Sequence, residues 1–296
     1  MREEQYRAIL EARTRHPETI AAAAAHRARP SSLFDGHGRL MMIAADHPAR
    51  GALGAGPRAM AMADRSELLD RLCLALSRPG VNGLLGTPDI VEDLLLLGML
   101  DDKVVVGSMN RAGIAGTVFE IDDRFTGYDA ASLAAAGCEG GKMLLRIDPD
   151  DPATVRTIEA CARAVSELAE RGLVAMVEPF VSHRVDGRVR VDLSPDATIR
   201  AMTVAAGLGT TSAYTWLKVP VVDDMERVMA ATTLPALLLG GEVSAAQDAA
   251  FERWRKALKL PTVCGLVIGR SLLYPPDDDV AAAVDAAVGL LQEGAA

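Results

Sequence analysis

Ala213-Tyr214-Thr215-Trp216-Leu217-Lys218 is a short apolar run that closes on a lysine, and it reads as the sixth of eight strand-then-helix units along the chain. The other strands lie near residues 39–46, 81–86, 103–108, 141–147, 173–178, 236–240 and 263–268, with the sixth over 213–219. Each carries apolar residues at both parities, the pattern of a parallel sheet covered on both faces. Between them come segments of helical period. The clearest opens at Asp151-Pro152, runs through Val155, Ile158, Ala162, Val165 and Leu168, and stops at Gly172. A capping residue followed by proline is a helix start, and it recurs at Thr87-Pro88 and Ser194-Pro195. Strands alternating with helices, with no hairpin signal between them, predict βαβ units, and eight such units predict closure into a single (β/α)8 TIM barrel of class α/β. Residues 1–38 form an N-terminal extension with one additional helix, carrying the run Ala21 to Ala25, and residues 39–296 form the barrel.

Composition narrows the functional classes. A chain of 296 residues, half of them apolar, buries a sizeable core. Forty acidic against 31 basic residues leave a net charge of -9, and no basic patch stands out, which argues against nucleic acid or an anionic membrane as partner. Cys73, Cys138, Cys161 and Cys264 lie far apart without a C-x-x-C pair, so they read as small core residues of a reducing compartment. No apolar run approaches the roughly 18 residues of a membrane span, and a cytoplasmic location is expected. Leu94 to Leu97 read as helix packing more readily than as an interface, though a homo-oligomer stays open.

Side chains alternate along a strand, so fixing one inward residue fixes its neighbours two away. An inward Asp46 brings Met42 and Ala44 inside; Glu178 shares its face with Val174 and Met176; Lys218 shares its face with Tyr214 and Trp216; Lys142, Leu144, Arg146 and Asp148 form a fourth set. Each ionisable residue has a bland reading of its own, as a solvated lysine, a cap or half of a salt bridge. Convergence of Asp46, Lys142, Glu178 and Lys218 from four strands on one interior is harder to explain that way, because buried charge is costly unless paired or used. A desolvated lysine at the mouth of a barrel is a candidate nucleophile toward a carbonyl.

The last two strands end in Gly240-Gly241-Glu242-Val243-Ser244 and Gly269-Arg270-Ser271. Glycines let backbone N–H groups approach an anion, and the loops after the seventh and eighth strands are the recurrent phosphate site of such barrels. Gly240, Gly241, Ser244, Gly269 and Arg270 are therefore candidate phosphate ligands, with Arg270 offering a bidentate contact. The connection over 109–128, with Gly113, Gly116, Gly127 and Asp122-Asp123, is long enough to be a lid or an idle surface excursion.

These residues resemble the class I, Schiff-base-forming aldolases that include tagatose 1,6-bisphosphate aldolase and the archaeal-type fructose bisphosphate aldolases. Ala45-Asp46-His47-Pro48-Ala49-Arg50-Gly51-Ala52-Leu53 is similar to the family's Asp-Gln-Arg-Gly-Ala-Leu segment, with His47-Pro48-Ala49 standing in place of one glutamine. Lys142-Met143-Leu144-Leu145, Val177-Glu178-Pro179, Leu217-Lys218-Val219-Pro220 and Gly269-Arg270 resemble its later motifs in the same order. Asn110-Arg111-Ala112-Gly113 and Asp122 to Tyr128 look closer to a bacterial group of barrel proteins labelled deoxyribose-phosphate aldolase and associated with inositol breakdown. The resemblance implies a lyase of carbohydrate metabolism acting on a small sugar phosphate, with Lys218 as the Schiff-base lysine, Lys142 beside it, Glu178 moving protons and Asp46 orienting hydroxyls or sharing that duty. It implies no cofactor and no metal. The substrate it suggests is 2-deoxy-5-keto-gluconate 6-phosphate, cleaved to dihydroxyacetone phosphate and malonate semialdehyde. An aldehyde donor, as in deoxyribose 5-phosphate cleavage, and a barrel that binds sugar phosphate without chemistry both stay open.

Overall fold

The computed structural model describes residues 2–34, 38–241 and 247–293. Its strands are β1 (Leu40–Ala44), β2 (Gly83–Gly86), β3 (Val104–Ser108), β4 (Gly140–Ile147), β5 (Val174–Val185), β6 (Arg188–Val191), β7 (Thr215–Pro220), β8 (Ala236–Leu239) and β9 (Val263–Ile268). All but β6 pair in parallel in the order β4-β3-β2-β1-β9-β8-β7-β5, and β4 pairs with β5 to close the ring. The result is a (β/α)8 TIM barrel of eight parallel strands.

Alternation along each strand sorts the apolar residues into two cores. Met41 and Ile43 of β1, Val105 of β3, and Ala175 and Val177 of β5 face the surrounding helices. Leu40, Met42 and Ala44, Val104 and Val106, Val174 and Met176, and Trp216 of β7 fill the barrel itself. The helices sit where their start signals lie: Pro88–Leu96 after Thr87, Ala153–Ala169 after Asp151-Pro152, and Pro195–Ala206 after Ser194. The Ser194 side chain accepts from the Ala197 N–H and Asp151 from the Ala153 N–H, satisfying donors that a helix start leaves open. Leu94 and Leu95 are buried in the helix layer, and the second N-terminal helix lies against theirs.

The first residues form two helices, Glu3–Arg15 and Glu18–His26, rather than one, because Pro17 interrupts the hydrogen-bond ladder. Arg13 ties them to the Pro88–Leu96 helix through Glu92 at 3.0 Å and Asp93 at 2.7 Å. Arg27, buried, pairs with Glu139 at 2.8 Å and donates to the Lys103 carbonyl at 2.7 Å. Leu33 and Phe34 then pack on the interior core from the N-terminal end of the strands, Phe34 stacking on Trp216 with ring centroids 5.2 Å apart. The extension thus plugs the end of the barrel opposite the mouth.

Two strands differ from expectation. β7 begins at Thr215, so Tyr214 precedes it and is largely exposed rather than inward. β5 runs seven residues past Glu178 and folds back on β6 as an antiparallel hairpin, against the expectation of pure βαβ order without hairpins. The signal is the Asp186-Gly187 pair between Val185 and Arg188: both residues adopt positive φ, 51° and 75°, as the two-residue turn that matches strand twist requires. Among the described residues no helix is long and apolar enough to cross a membrane.

Candidate active site

On β5 and β7 the inward residues after the apolar core are Glu178 and Lys218; on β4 it is Lys142; Asp46 lies two residues beyond the end of β1. All four are buried. Lys218 Nζ lies 3.0 Å from Glu178 Oε1, and Lys142 Nζ contacts Glu178 Oε2 and lies 3.2 Å from Asp46 Oδ2. The expected four residues therefore form one chain, Lys218–Glu178–Lys142–Asp46, in which the two ammonium groups bind opposite oxygens of one carboxylate.

The charges in this chain shape one another. Burial opposes ionisation of Asp46, but Arg111, Lys142 and Lys218 outweigh it and hold the carboxyl well below its ordinary range. Glu178 is likewise penalised by burial, yet Lys142 and Lys218 bring it down to about 2. Burial lowers Lys142 to about 8 even though Asp46 and Glu178 favour its charged form. His47, next to Asp46 with Nδ1 at 3.8 Å from Oδ1, is pushed by burial down to about 3, with Arg270 and Lys218 adding to the effect and Asp46 opposing it. That shift favours the neutral ring, and among the described residues its Nδ1 has no hydrogen-bond partner.

Ser108 and Arg111 belong to the site and escaped the list of candidates. Ser108 Oγ donates to Asp46 Oδ2 at 3.3 Å; Arg111 donates to the Asp46 carbonyl at 2.6 Å and to Oδ2 at 2.7 Å. Parity would have found the serine, since Val104 and Val106 put Ser108 on the inward face of β3. For Arg111 the only mark was its place in the Asn110-Arg111-Ala112-Gly113 motif.

The long connection after β3 is a packed part of the barrel rim, with Asn110, Glu120, Ile121 and Asp123 buried. Arg50, from the 3-10 turn Pro48–Arg50, is buried under it: its guanidinium lies 2.5 Å from Asp123 Oδ2 and donates to the carbonyls of Asn110 and Gly113 at 2.7 and 3.0 Å. Arg146, inward on β4, pairs with Glu120 at 3.0 Å. Asp148 accepts from the Asp150 N–H and exchanges hydrogen bonds with Thr154, so it organises the next helix start and stands outside the lysine chain.

The expected phosphate ligands divide. Gly240 and Gly241 follow β8, and Gly241 has a φ of 69°. Gly269 follows β9 against the end of β1: a Cβ there would stand 2.4 Å from the Ala44 carbonyl and 2.9 Å from His47, so any larger residue would push the loop off the mouth. Arg270 donates to the Gly54 carbonyl at 3.4 Å, and among the described residues its buried Nε and the buried Ser271 hydroxyl have no hydrogen-bond partner. Ser244 lies outside the described residues. A surface groove of about 430 Å³ lies elsewhere, between the long connection and the Ala153–Ala169 helix around Phe125 and Arg156.

Fold and site together define a TIM barrel with a buried lysine–carboxylate centre at the C-terminal ends of its strands. The sequence profile of the Cgl0159-like family matches residues 38–288, and the chain belongs to that family. The crystal structure of Cgl0159 from Corynebacterium glutamicum (Brevibacterium flavum) is similar over 99% of this chain and 98% of that one, at 52% identity and a TM-score of 0.96. An archaeal fructose-1,6-bisphosphate aldolase with its catalytic lysine covalently bound to the carbinolamine intermediate of its substrate is similar over 92% of this chain and 99% of that one, at 16% identity and a TM-score of 0.65. Fructose-bisphosphate aldolase from Slackia heliotrinireducens is similar over 93% of this chain and 90% of that one, at 14% identity and a TM-score of 0.62. At those identities the last two likenesses concern the fold. No curated protein matches the chain.

Proposed function

We propose that the protein is a class I aldolase that cleaves a phosphorylated sugar through a Schiff base on Lys218. The observation that carries this reading is the buried chain Lys218–Glu178–Lys142–Asp46, a lysine at the mouth whose ammonium shares one carboxylate with a second lysine. A structural salt-bridge cluster has little need to bury two lysines and two carboxylates, since hydrophobic replacements stabilise as well or better. The archaeal fructose-1,6-bisphosphate aldolase of similar fold, whose catalytic lysine is covalently bound to the carbinolamine intermediate of its substrate, lends the same direction of support.

The candidate substrate is 2-deoxy-5-keto-gluconate 6-phosphate. The neutral amine of Lys218 adds to its C5 carbonyl to give a carbinolamine, and Lys142 donates the proton with which the hydroxyl leaves as water. The iminium that remains draws electrons as the C3–C4 bond breaks: the C3 hydroxyl loses its proton, C3 departs as the aldehyde of malonate semialdehyde, and the electron pair passes through C4 into the enamine. Protonation at C4 and hydrolysis release dihydroxyacetone phosphate and return the amine. Glu178 Oε1, 3.0 Å from Lys218, is placed to relay protons. A carboxylate held near 2 keeps a proton only in passing, whereas Lys142, at about 8, stores or yields one near neutrality. Gly240, Gly241, Ser244, Gly269 and Arg270 would hold the phosphate and position the reacting carbon.

Borohydride reduction in the presence of dihydroxyacetone phosphate, followed by peptide mass mapping, tests the reading. A triose phosphate adduct on the peptide bearing Lys218, absent from Lys218→Met, is expected. An intact protein without adduct under any of a panel of ketose phosphates and deoxyribose 5-phosphate would refute it. An adduct with acetaldehyde in place of the triose phosphate would assign an aldehyde donor.

A further inference from the structure

Asp46 Oδ2 accepts from three donors carried by three different segments: Ser108 at the end of β3 at 3.3 Å, Arg111 at 2.7 Å and Lys142 of β4 at 3.2 Å. Oδ1 faces the His47 ring at 3.8 Å and accepts no hydrogen bond among the described residues. Arg111 is the closest of the three and the only one that also grips the Asp46 backbone, through the carbonyl at 2.6 Å. Its own place is fixed on both sides. Asn110, fully buried, bridges the N–H and carbonyl of Leu144 on β4 at 2.8 and 2.6 Å, and the Gly113 N–H donates to Asp123, which Arg50 holds at 2.5 Å. An arginine desolvated this thoroughly and aimed by two buried anchors is expensive to place, and a loop that only needed to pack would have used a hydrocarbon.

We propose that Arg111 is a positioning residue that pins Asp46 as a permanently charged, fixed hydrogen-bond acceptor, so that Asp46 orients a substrate hydroxyl through Oδ1 and takes no proton during turnover. The role rests on the aldolase reading, but the state of Asp46 does not. It divides the two carboxylates: Glu178, between two lysines, carries protons, while Asp46 holds still. The groups that face Asp46 are Arg111 from the connection after β3, Lys142 from β4, Lys218 from β7, Glu178 from β5, and His47 beside it with Arg270 beyond. Lys142 and Lys218 are shared with Glu178, which leaves Arg111 as the cation committed to Asp46.

The test uses the full chain labelled with ¹³C at aspartate carboxyls, followed by NMR from pH 7.5 down to the onset of acid unfolding, with the Asp46 signal assigned by its loss in Asp46→Asn. In the wild type the signal stays that of a carboxylate throughout. In Arg111→Met it titrates, with a midpoint at or above the ordinary aspartate value of 3.8, because burial persists after its main counter-charge has gone. Arg111→Lys, which restores a cation without the fork, moves the midpoint back toward the wild type. An Asp46 signal as indifferent to pH in folded Arg111→Met as in the wild type would overturn the proposal, and so would titration of Asp46 in the wild type itself. Should Arg111→Met fail to fold, an Asp46 signal in Arg111→Gln that stays that of a carboxylate throughout, as in the wild type, would overturn it equally. Borohydride trapping with the panel of ketose phosphates and deoxyribose 5-phosphate in the same preparations keeps the two questions apart: no adduct with any of them in the wild type refutes the aldolase reading alone, whereas an adduct retained in Arg111→Met together with a shifted Asp46 supports both.

Discussion

On β1, β5 and β7 the inward positions run Met42 and Ala44, Val174 and Met176, and Trp216, and the next inward position on each path is Asp46, Glu178 or Lys218. The lower barrel is therefore hydrocarbon, plugged by Phe34, and the upper barrel is ionised, closed by the connection that carries Arg111. The same alternation of side chains places both sets, so strand geometry accounts for where each residue points and says nothing of why its chemistry changes halfway up. Energetics supplies the reason. Apolar contacts in the lower half favour the fold, whereas each charge in the upper half costs desolvation that its partners only offset. A protein selected for stability alone would continue the hydrocarbon upward, and on the proposed function the break marks the level at which chemistry begins.

If the halves divide in this way, a substitution above the break should remove chemistry and spare stability, and one below should do the reverse. Lys218→Met is the sharpest case. It deletes the proposed nucleophile but leaves Glu178 paired with Lys142. Turnover and borohydride trapping should fall about 10³-fold or more, with a melting temperature close to that of the wild type. Trp216→Ala, only two residues earlier on the same strand, should cost about 3–5 kcal/mol in denaturant unfolding, because it opens a cavity and strips Phe34 of its stacking partner. At a temperature where this variant stays folded, Lys218 should still be trapped. A variant that loses both properties together at either position would dissolve the division.

Within the upper half, Lys142→Met should be milder than loss of Lys218. It removes the amine held at about 8 while Lys218 keeps its contact with Glu178. The adduct should still form, more slowly, and turnover should drop by about 10²–10⁴-fold, the usual worth of an acid–base group. Complete loss of trapping in a folded Lys142→Met would shift the nucleophile's role onto Lys142 itself.

Sequence alone reveals the barrel and its four central ionisable residues for one physical reason: a parallel strand covered on both faces carries its own periodicity, and a charge at an inward position violates it visibly. Ser108 obeyed the same rule and was overlooked because a serine violates less. Arg111 lies on a connection without periodicity, so nothing local indicates that it turns into the barrel; only the packing of Asn110 on Leu144 and of Arg50 on Asp123 determines that. Arg50 shows the converse. Its segment resembles the family's Arg-Gly-Ala-Leu, but Pro48–Arg50 coil into a short 3-10 turn and carry the guanidinium beneath the neighbouring loop, where it holds Asp123. The break between the two N-terminal helices was legible in Pro17, and the β5–β6 hairpin in Asp186-Gly187; both signals were present and outweighed by the expectation of one helix and of pure βαβ order.

The ionised half should also govern how stability responds to acid. In the unfolded chain His47 takes up a proton near its ordinary 6.5, whereas in the fold it does so only at about 3; between those values the unfolded state binds the extra proton, so stability must fall as pH drops below about 6.5. Glu178, ordinary value 4.5 and about 2 in the fold, adds its own loss as pH falls through that lower window. Denaturant midpoints measured from pH 7.5 to 4 should decline throughout, and His47→Gln should flatten the curve between pH 6.5 and 4.5 while leaving the steeper loss below it. An unchanged slope in that variant would show that the imidazole is not held neutral by the fold.

The smallest effect belongs to a part of the molecule on neither side of the break. The β5–β6 hairpin stands beyond Glu178 on the same strand, with Val185 and Val191 exposed, and its turn depends on Gly187 at a φ of 75°. Gly187→Val forces a branched side chain into the left-handed region at a cost of roughly 1–2 kcal/mol. That strain falls on a ribbon whose outer pairs, Val185 with Arg188 and Arg184 with Val189, can open without moving the β4–β5 ladder that carries Lys142 and Glu178. Amide exchange should therefore quicken over residues 184–190 while global unfolding and borohydride trapping stay as in the wild type. Arg184 makes the prediction exacting, since it leaves the ribbon to pair with Asp151 at 2.9 Å and to donate to the Val118 carbonyl at 2.8 Å. If loosening the turn also slows trapping, those two contacts transmit hairpin order to the connection that bears Arg111, and the boundary of the functional half must be drawn to include the ribbon.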